Sequence, residues 1–148
     1  MSKFTFFILL FLLSCQGAEH QDSYLKKLIS SHNKSLKGVE VCYLIAQDRC
    51  IHCLDISAQF IRKHSNNPKI LFIITNVIGS KELRLKYGQD FVIGENIIID
   101  TKNIAIHYKM IESNPVVFFL DNHAKITKQI SVSPSKLKNM LAEIEKAI

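Results

Sequence analysis

The sequence predicts a single α/β domain built on a mixed β-sheet. The chain has 148 residues, of which 47% are hydrophobic and 22% charged, as in an ordinary globular domain. Apolar runs rich in β-branched residues alternate with segments of helical periodicity, and a connection of only four residues separates the last two runs. The alternation indicates parallel strands joined by helices, whereas the short final connection indicates an antiparallel hairpin. The expected order is therefore α-β-α-β-α-β-α-β-β-α.

The N-terminal segment has the pattern of a secretion signal. One lysine precedes the apolar stretch Phe4–Leu13, which is too short to cross a bilayer because a spanning helix needs about 20 residues. The stretch runs into Leu12-Leu13-Ser14-Cys15, which resembles the lipobox of bacterial lipoproteins. In that family the cysteine becomes the mature N-terminus and carries lipid. An ordinary cleaved signal with an incidental cysteine is the alternative.

The lipobox resemblance divides the chain into a signal peptide over residues 1–14, a tether over 15–23 and a domain over 24–148. It places the domain outside the cytoplasm, anchored in the cell envelope, where disulfides form and persist. Lipidation removes Cys15 from redox chemistry, so three thiols remain and at most one pair forms. The remaining thiols are Cys42, Cys50 and Cys53.

The first half of the domain is predicted to contain two helices and two strands. Apolar residues at helical spacing begin at Tyr24 and stop at a polar turn. Val39–Ala46 has a middle without polar residues, which predicts a central parallel strand buried on both faces. Cys50–His64 carries an apolar stripe and ends at the helix breaker Asn66-Asn67-Pro68, and Lys69–Val77 is the second strand.

The middle of the chain is predicted to hold a short helix and a third strand. Ser80 is a candidate cap for the helix, and Gly88 closes it. The strand is Asn96–Asp100, whose final aspartate is placed to cap a turn or helix that runs to Tyr108.

The C-terminal part is predicted to be a hairpin followed by a helix. Pro115–Leu120 and Lys125–Ile130 are the two strands, and Asp121-Asn122-His123-Ala124 connects them. Ser133-Pro134 then has the form of a helix start, with a capping hydroxyl before a proline in the first turn.

A strand, a short turn, Cys50-Ile51-His52-Cys53 at a helix start and a proline that opens a later hairpin together resemble the thioredoxin fold. The run ENIIIDTKNIAIHYKMIESNPVVFFLDNHAKI is most similar to the membrane-tethered TlpA/ResA type. The resemblance covers roughly Val39 to Ile148. It implies a three-layer sandwich whose mixed central sheet ends in a β-hairpin and a helix. It also implies a thiol–disulfide oxidoreductase that acts on protein cysteines and needs a redox-recycling partner but no organic cofactor.

The C-x-x-C motif suits redox chemistry at a helix N-terminus. A thiolate is the reacting nucleophile, and the free N–H groups and dipole of a helix start favour its formation. Cys50 is therefore the candidate nucleophile, and Cys53, one turn later, is the candidate resolving cysteine.

His52 and Arg49 are the candidate residues for tuning the redox potential. A cation beside the Cys50 sulfur stabilises the thiolate, and a stable reduced form makes the disulfide a stronger oxidant. The C-x-H-C pattern resembles the DsbA family of oxidants, whereas many TlpA-type proteins are reductants. The direction of electron flow stays open, and an exposed His52 with little influence is the alternative.

The resemblance also implies a substrate-binding position. Pro115 corresponds to the family's cis-proline across from the C-x-x-C, which makes Asn114 a residue that contacts an extended substrate segment by strand addition. A trans proline that merely begins an edge strand is the alternative.

The sequence departs from the family pattern in three places. Arg49 replaces the usual aromatic before the first cysteine, and Ala124 replaces the usual glycine of the hairpin turn. The buried acid that thioredoxins keep on the preceding strand would lie near Cys42-Tyr43, so the sequence shows no proton acceptor for Cys53. Cys42 itself is expected to be a buried apolar thiol, with pairing to another cysteine as the alternative.

The same residues give little support to other functions. No metal is predicted, since Cys50 and Cys53 would need two more ligands and no second closely spaced pair exists. The net charge is +6, but no Lys/Arg cluster is interleaved with aromatics, so nucleic-acid binding is not predicted. The peroxiredoxin Thr-x-x-Cys arrangement is absent. The main alternative is a non-catalytic lipoprotein with a structural disulfide.

Overall fold

A computed structural model describes residues 16–148, so the predicted signal peptide and Cys15 lie outside the described residues. The chain forms five strands, six α-helices and one 3₁₀ helix in this range. In chain order these are α1 (Gln16–Ser31), β1 (Val41–Ala46), α2 (Ile51–His64), β2 (Ile70–Thr75), α3 (Ser80–Tyr87), α4 (Asp90–Ile93), β3 (Ile97–Asp100), α5 (Ile104–His107), β4 (Val116–Leu120), β5 (Ile126–Ser131), the 3₁₀ helix (Pro134–Lys136) and α6 (Leu137–Ala147).

The five strands form one mixed sheet in the order β3-β2-β1-β4-β5. β1, β2 and β3 run parallel, and β4 runs antiparallel to both β1 and β5. Leu44 of β1 lies opposite Ile73 on one side and Val116 on the other. The carboxyl end of β1 therefore meets the first residues of β4, and this is the edge at which the cysteine motif follows.

Helices cover both faces of the sheet. Alternate β1 side chains, such as Tyr43, belong to a core under α2, α3, α4 and α6, while their neighbours, such as Leu44, belong to a core under α1 and α5. All six residues of β1 are buried, as are all six of β2, which is the pattern of central parallel strands. The predicted architecture, a three-layer α/β sandwich whose mixed central sheet ends in a hairpin followed by a helix, is confirmed.

Helix α1 begins earlier than the sequence pattern suggested. Residues 16–23, expected as part of a polar tether, form the first two turns of the helix. The Asp22 carboxylate accepts a 2.7 Å hydrogen bond from the backbone N–H of Ile126, and Tyr24 stacks on Tyr108 at 4.3 Å. These contacts hold polar residues against the domain, which the hydrophobic pattern alone does not reveal. Among the described residues, no helix combines the length and apolar character needed to cross a membrane.

Three details of the remaining elements differ from expectation. The four-residue helix α4 was not predicted because its apolar content resembles that of the neighbouring strand. Gly79, and not Ser80, is the residue before α3, while Gly88 closes that helix at a φ of 94° as expected. The Ser133 hydroxyl caps no backbone N–H and lies 3.3 Å from the Ser135 hydroxyl, because the chain enters a 3₁₀ turn before α6 begins.

Candidate redox site

The two cysteines of the motif lie between the end of β1 and the first turn of α2. A three-residue turn follows β1, and its first residue, Gln47, donates a 3.0 Å hydrogen bond to the carbonyl of Thr75 in the neighbouring strand. Cys50 is the N-cap residue of α2, and its carbonyl accepts a 3.0 Å hydrogen bond from the N–H of Cys53. The Cys50 sulfur therefore sits at the electropositive end of a 14-residue helix, where a thiolate is favoured.

Cys50 and Cys53 form a disulfide with a Cα–Cα distance of 5.2 Å, within the usual range for such bonds. The two cysteines differ in exposure: Cys50 is partly exposed, whereas Cys53 is completely buried. An incoming thiolate therefore has access to one sulfur only. This is the asymmetry that a nucleophilic and a resolving cysteine require.

The first turn of α2 carries no acidic side chain that would offset the positive potential at its N-terminus. Asp55, in the next turn, accepts hydrogen bonds of 2.8 Å from Lys86 and 2.6 Å from the Tyr87 hydroxyl. Lys86 and then Tyr87 hold the pKa of the Asp55 carboxyl below its usual value, with a smaller contribution from His52. His52, the second residue of α2, is exposed.

The predicted substrate-binding residues lie at the same edge of the sheet. The antiparallel register pairs Leu44 with Val116, which puts Asn114 and Pro115 alongside the last residues of β1. Arg49 bridges the two loops by donating a 3.3 Å hydrogen bond to the carbonyl of Glu112. Asn114 is half-buried and Pro115 is buried. The structure therefore brings the cysteine motif, Arg49 and the predicted substrate edge together.

The expectation of a cis-proline is not met. The Asn114–Pro115 peptide bond is trans, as is every peptide bond between residues 16 and 148. The trans form of an X-Pro bond is favoured by about 0.5–1 kcal/mol in the absence of other constraints. The Pro115 carbonyl accepts a 2.8 Å hydrogen bond from the N–H of Val132, which ties this residue into the hairpin.

Cys42 is separate from the motif. It is completely buried and unpaired, and it faces the core under α1, on the opposite side of the sheet from Cys53. Burial raises the pKa of the Cys42 thiol well above its usual value. The expectation of a buried apolar thiol that is not paired with another cysteine is confirmed.

Sequence reasoning did not identify the groups that lie under Cys53. The Tyr43 hydroxyl is 2.6 Å from the Ser57 hydroxyl, and Ser57 in turn donates a 2.7 Å hydrogen bond to the carbonyl of Cys53. Burial raises the pKa of the Tyr43 phenol. The helical spacing of Cys53 and Ser57, four residues apart, is the one sequence signal that connects them.

The part of the chain that the structure describes contains no candidate metal site. Between residues 16 and 148, no three His, Cys, Asp or Glu side chains are grouped closely enough to hold an ion.

Comparison with known proteins gives only structural likenesses. No protein-family model matches the sequence, and no curated relative matches it. The fold is similar to a putative thiol:disulfide interchange protein DsbE from Chlorobium tepidum, at 16% identity and a TM-score of 0.45 over 75% of this chain and 81% of that one. It is also similar to MTB dsbF (18% identity, TM-score 0.45, 74% and 83% of the two chains) and to StoA from Bacillus subtilis (19%, 0.39, 70% and 82%). These likenesses are distant in both sequence and shape.

Proposed function

We propose that the protein is a lipid-anchored thiol–disulfide oxidoreductase that acts on protein cysteines outside the cytoplasm. The observation that carries the proposal is the disulfide at the start of α2, in which Cys50 is partly exposed and Cys53 is buried. This disulfide lies beside the strand edge that begins at Asn114-Pro115. A disulfide that serves only stability needs neither this asymmetry nor a helix N-terminus.

The reaction follows from the position of the two sulfurs. A substrate thiolate attacks the Cys50 sulfur, the Cys50–Cys53 bond breaks, and Cys53 leaves as a thiolate that takes up a proton. A second substrate thiolate then attacks the substrate sulfur of the mixed disulfide and releases Cys50 as a thiolate. Two electrons pass from the substrate to the cysteine pair, and the reverse sequence reduces a substrate disulfide. The N-terminal end of α2 stabilises the Cys50 thiolate that forms in either direction.

Substrate binding is assigned to the edge that faces the motif. Backbone groups of Asn114 hydrogen-bond an extended segment of the substrate by strand addition, and Pro115, bonded through its carbonyl to Val132, holds the start of β4 in the sheet. Arg49, whose side chain donates a hydrogen bond to the Glu112 carbonyl, is assigned with His52 to tuning of the redox potential, because a nearby cation favours the Cys50 thiolate.

His52 is assigned the tuning of the redox potential. Its exposed ring follows Cys50 by two residues, and a protonated imidazole there stabilises the reduced form of the pair. A measured reduction potential decides the direction of electron flow. A potential near −120 mV would class the protein with oxidants such as DsbA, and one near −270 mV with reductants such as thioredoxin.

The activity is tested with purified protein in insulin-reduction and glutathione-exchange assays. Cys50→Ala is expected to abolish exchange, and Cys53→Ala is expected to trap mixed disulfides with partner proteins because the resolving sulfur is missing. Cys42→Ala is the matched control, since this buried thiol faces the other core, and it is expected to retain full exchange. Full activity in both the Cys50 and Cys53 variants would instead support a non-catalytic lipoprotein with a structural disulfide.

The lipid anchor is tested separately in a bacterial host. Metabolic labelling with a fatty acid is expected to mark the wild-type protein and to leave the Cys15→Ala variant unlabelled. Equal labelling of the two would remove the anchor from the proposal while leaving the redox assignment intact.

A further inference from the structure

Two buried hydroxyl groups connect the central strand to the helix that carries the cysteines. Tyr43 lies in the middle of β1 and Ser57 in the second turn of α2, and their side chains are completely buried. The two hydroxyl oxygens are 2.6 Å apart, and the Ser57 oxygen is 2.7 Å from the carbonyl oxygen of Cys53. The contacts therefore reach from the core of the sheet to the backbone of the second cysteine.

The direction of these hydrogen bonds follows from the number of protons. A serine hydroxyl has one proton, and the carbonyl of Cys53 can only accept, so the Ser57 proton is committed to that carbonyl. The remaining bond must then be donated by the Tyr43 hydroxyl to the Ser57 oxygen. The chain runs from Tyr43 through Ser57 to Cys53, and consecutive bonds of this kind strengthen each other.

Tyr43 is held in place independently of the cysteines. Its ring packs edge-on against Phe72 of β2, with ring centroids 6.2 Å apart and planes at 86°. Its backbone pairs with Val117 of β4, two residues after Pro115. Because burial also raises the pKa of its phenol, Tyr43 keeps its proton and donates throughout the physiological pH range. The chain of hydroxyls thus starts from a rigid point in the sheet.

We propose that Tyr43 and Ser57 are positioning residues for the resolving cysteine, and this inference rests on the function proposed above. In a mixed disulfide the Cys50–Cys53 bond is absent, so the Cys53 sulfur is kept within reach of Cys50 only by its surroundings. The two hydroxyls fix the Cys53 backbone in the first turn of α2 and thereby keep its sulfur aimed at the Cys50 sulfur. Precise placement of reacting atoms of this kind accelerates intramolecular steps.

The resolving step needs neither hydroxyl as a base. In the mixed disulfide, where the Cys50–Cys53 bond is open, the Cys53 thiol loses its proton to a water molecule that enters beside it, and its thiolate attacks the Cys50 sulfur. The bond between Cys50 and the partner sulfur then breaks, and the partner leaves as a thiolate that takes a proton from solvent. Both hydroxyl protons are already engaged in the chain, so Tyr43 and Ser57 contribute position and not proton transfer.

The test uses the reduced protein and the chromogenic disulfide 5,5′-dithiobis(2-nitrobenzoate). The first equivalent of chromophore is released when Cys50 attacks the reagent, and the second when Cys53 resolves the mixed disulfide. Tyr43→Phe and Ser57→Ala are each expected to slow the second release about tenfold, a change typical of losing one buried hydrogen bond. The first release is expected to stay within about twofold of wild type, because neither hydroxyl contacts Cys50.

Controls and a double variant sharpen the test. Ser65→Ala removes another serine hydroxyl bonded to a carbonyl of α2, that of Arg62, and Tyr108→Phe removes a hydroxyl on the opposite face of the sheet. Both are expected to leave the two releases unchanged. The Tyr43→Phe/Ser57→Ala double variant is expected to be no slower than Ser57→Ala alone, because Tyr43 acts through Ser57.

Three outcomes would overturn the inference. In one outcome, both single variants release the second equivalent of chromophore at the wild-type rate while their thermal stability falls, which would make Tyr43 and Ser57 structural only. In another, the effects of the two substitutions on this rate add in the double variant, which would show that the two hydroxyls act independently. In the third, the first release persists in Cys50→Ala, which would overturn the proposed function as well. Should Tyr43→Phe fail to fold, the second release of Ser57→Ala decides alone.

Discussion

The carboxylate of Asp100 is expected to contribute strongly to the stability of the fold. It is completely buried at the end of β3. One oxygen accepts a 3.0 Å hydrogen bond from the N–H of Ile104, and the other accepts bonds from the N–H of Ala105 at 2.9 Å and the Thr75 hydroxyl at 3.0 Å. Asp100 thereby joins β3, β2 and the first turn of α5 at a single buried group.

Asp100→Asn is expected to lower the free energy of unfolding by about 2–4 kcal/mol. Both carboxylate oxygens accept bonds, so an asparagine in either orientation turns its NH₂ group toward at least one N–H or O–H donor. One charge-assisted bond of about 1.5–3 kcal/mol is then lost, and a buried donor is left without a partner. Thr75→Val removes one donor and leaves the carboxylate two partners, so its expected cost is smaller, about 1–2 kcal/mol.

Urea unfolding followed by circular dichroism measures these differences. The slope of the unfolding free energy against urea concentration is expected to stay unchanged. Asp121→Asn is the matched control. Both backbone N–H groups that bond Asp121 reach the same oxygen, so the amide oxygen of asparagine retains them and stability is expected to change little. A loss of less than about 1 kcal/mol in Asp100→Asn would refute the reasoning.

Two further predictions concern backbone strain and pH. Ala124 has a φ of 57° and Gly38 a φ of 80° with open space around its Cβ position, so in urea titrations Ala124→Gly is expected to stabilise by about 0.5 kcal/mol and Gly38→Ala to destabilise by about 1 kcal/mol. A more stable Gly38→Ala would contradict this. The pKa of Asp55 is lowered by Lys86 and Tyr87, so the stability it contributes is present above its ordinary value of 3.8 and is lost as acid takes the pH through the lowered pKa. In Asp55→Asn, the unfolding free energy that is lost between neutral and acid pH is therefore expected to be smaller than in wild type, by less than about 1 kcal/mol. The same loss in both proteins would count against the pairing of Asp55 with Lys86 and Tyr87.

The parts of the fold that the sequence predicted are those set by local patterns. The apolar run Val39–Ala46 is buried on both faces as β1, and the C-x-x-C motif stands at a helix start. Asp100 caps α5 as expected, because a short polar side chain after a buried strand reaches the next free N–H groups. Patterns within about ten residues were sufficient for each of these predictions.

The parts that the sequence did not predict depend on contacts between distant residues. The first turns of α1 are ordered against β5 through Asp22, which is bonded to a residue 104 positions away. Tyr43 and Ser57 meet only because β1 and α2 pack together. The proline at position 115 was assigned a cis bond by family analogy, whereas its bond is trans. In each case the deciding neighbour comes from another layer of the fold.

The early start of α1 has a consequence for the anchor that we propose at Cys15. This helix begins at the residue after Cys15 and spans about 24 Å at 1.5 Å per residue, with its second half packed into the core. If Cys15 carries the lipid that we propose, the connection from residue 16 onward is therefore ordered helix and not the extended polar tether over 15–23 that the sequence pattern predicts. The length of chain left to act as a flexible spacer is correspondingly shorter.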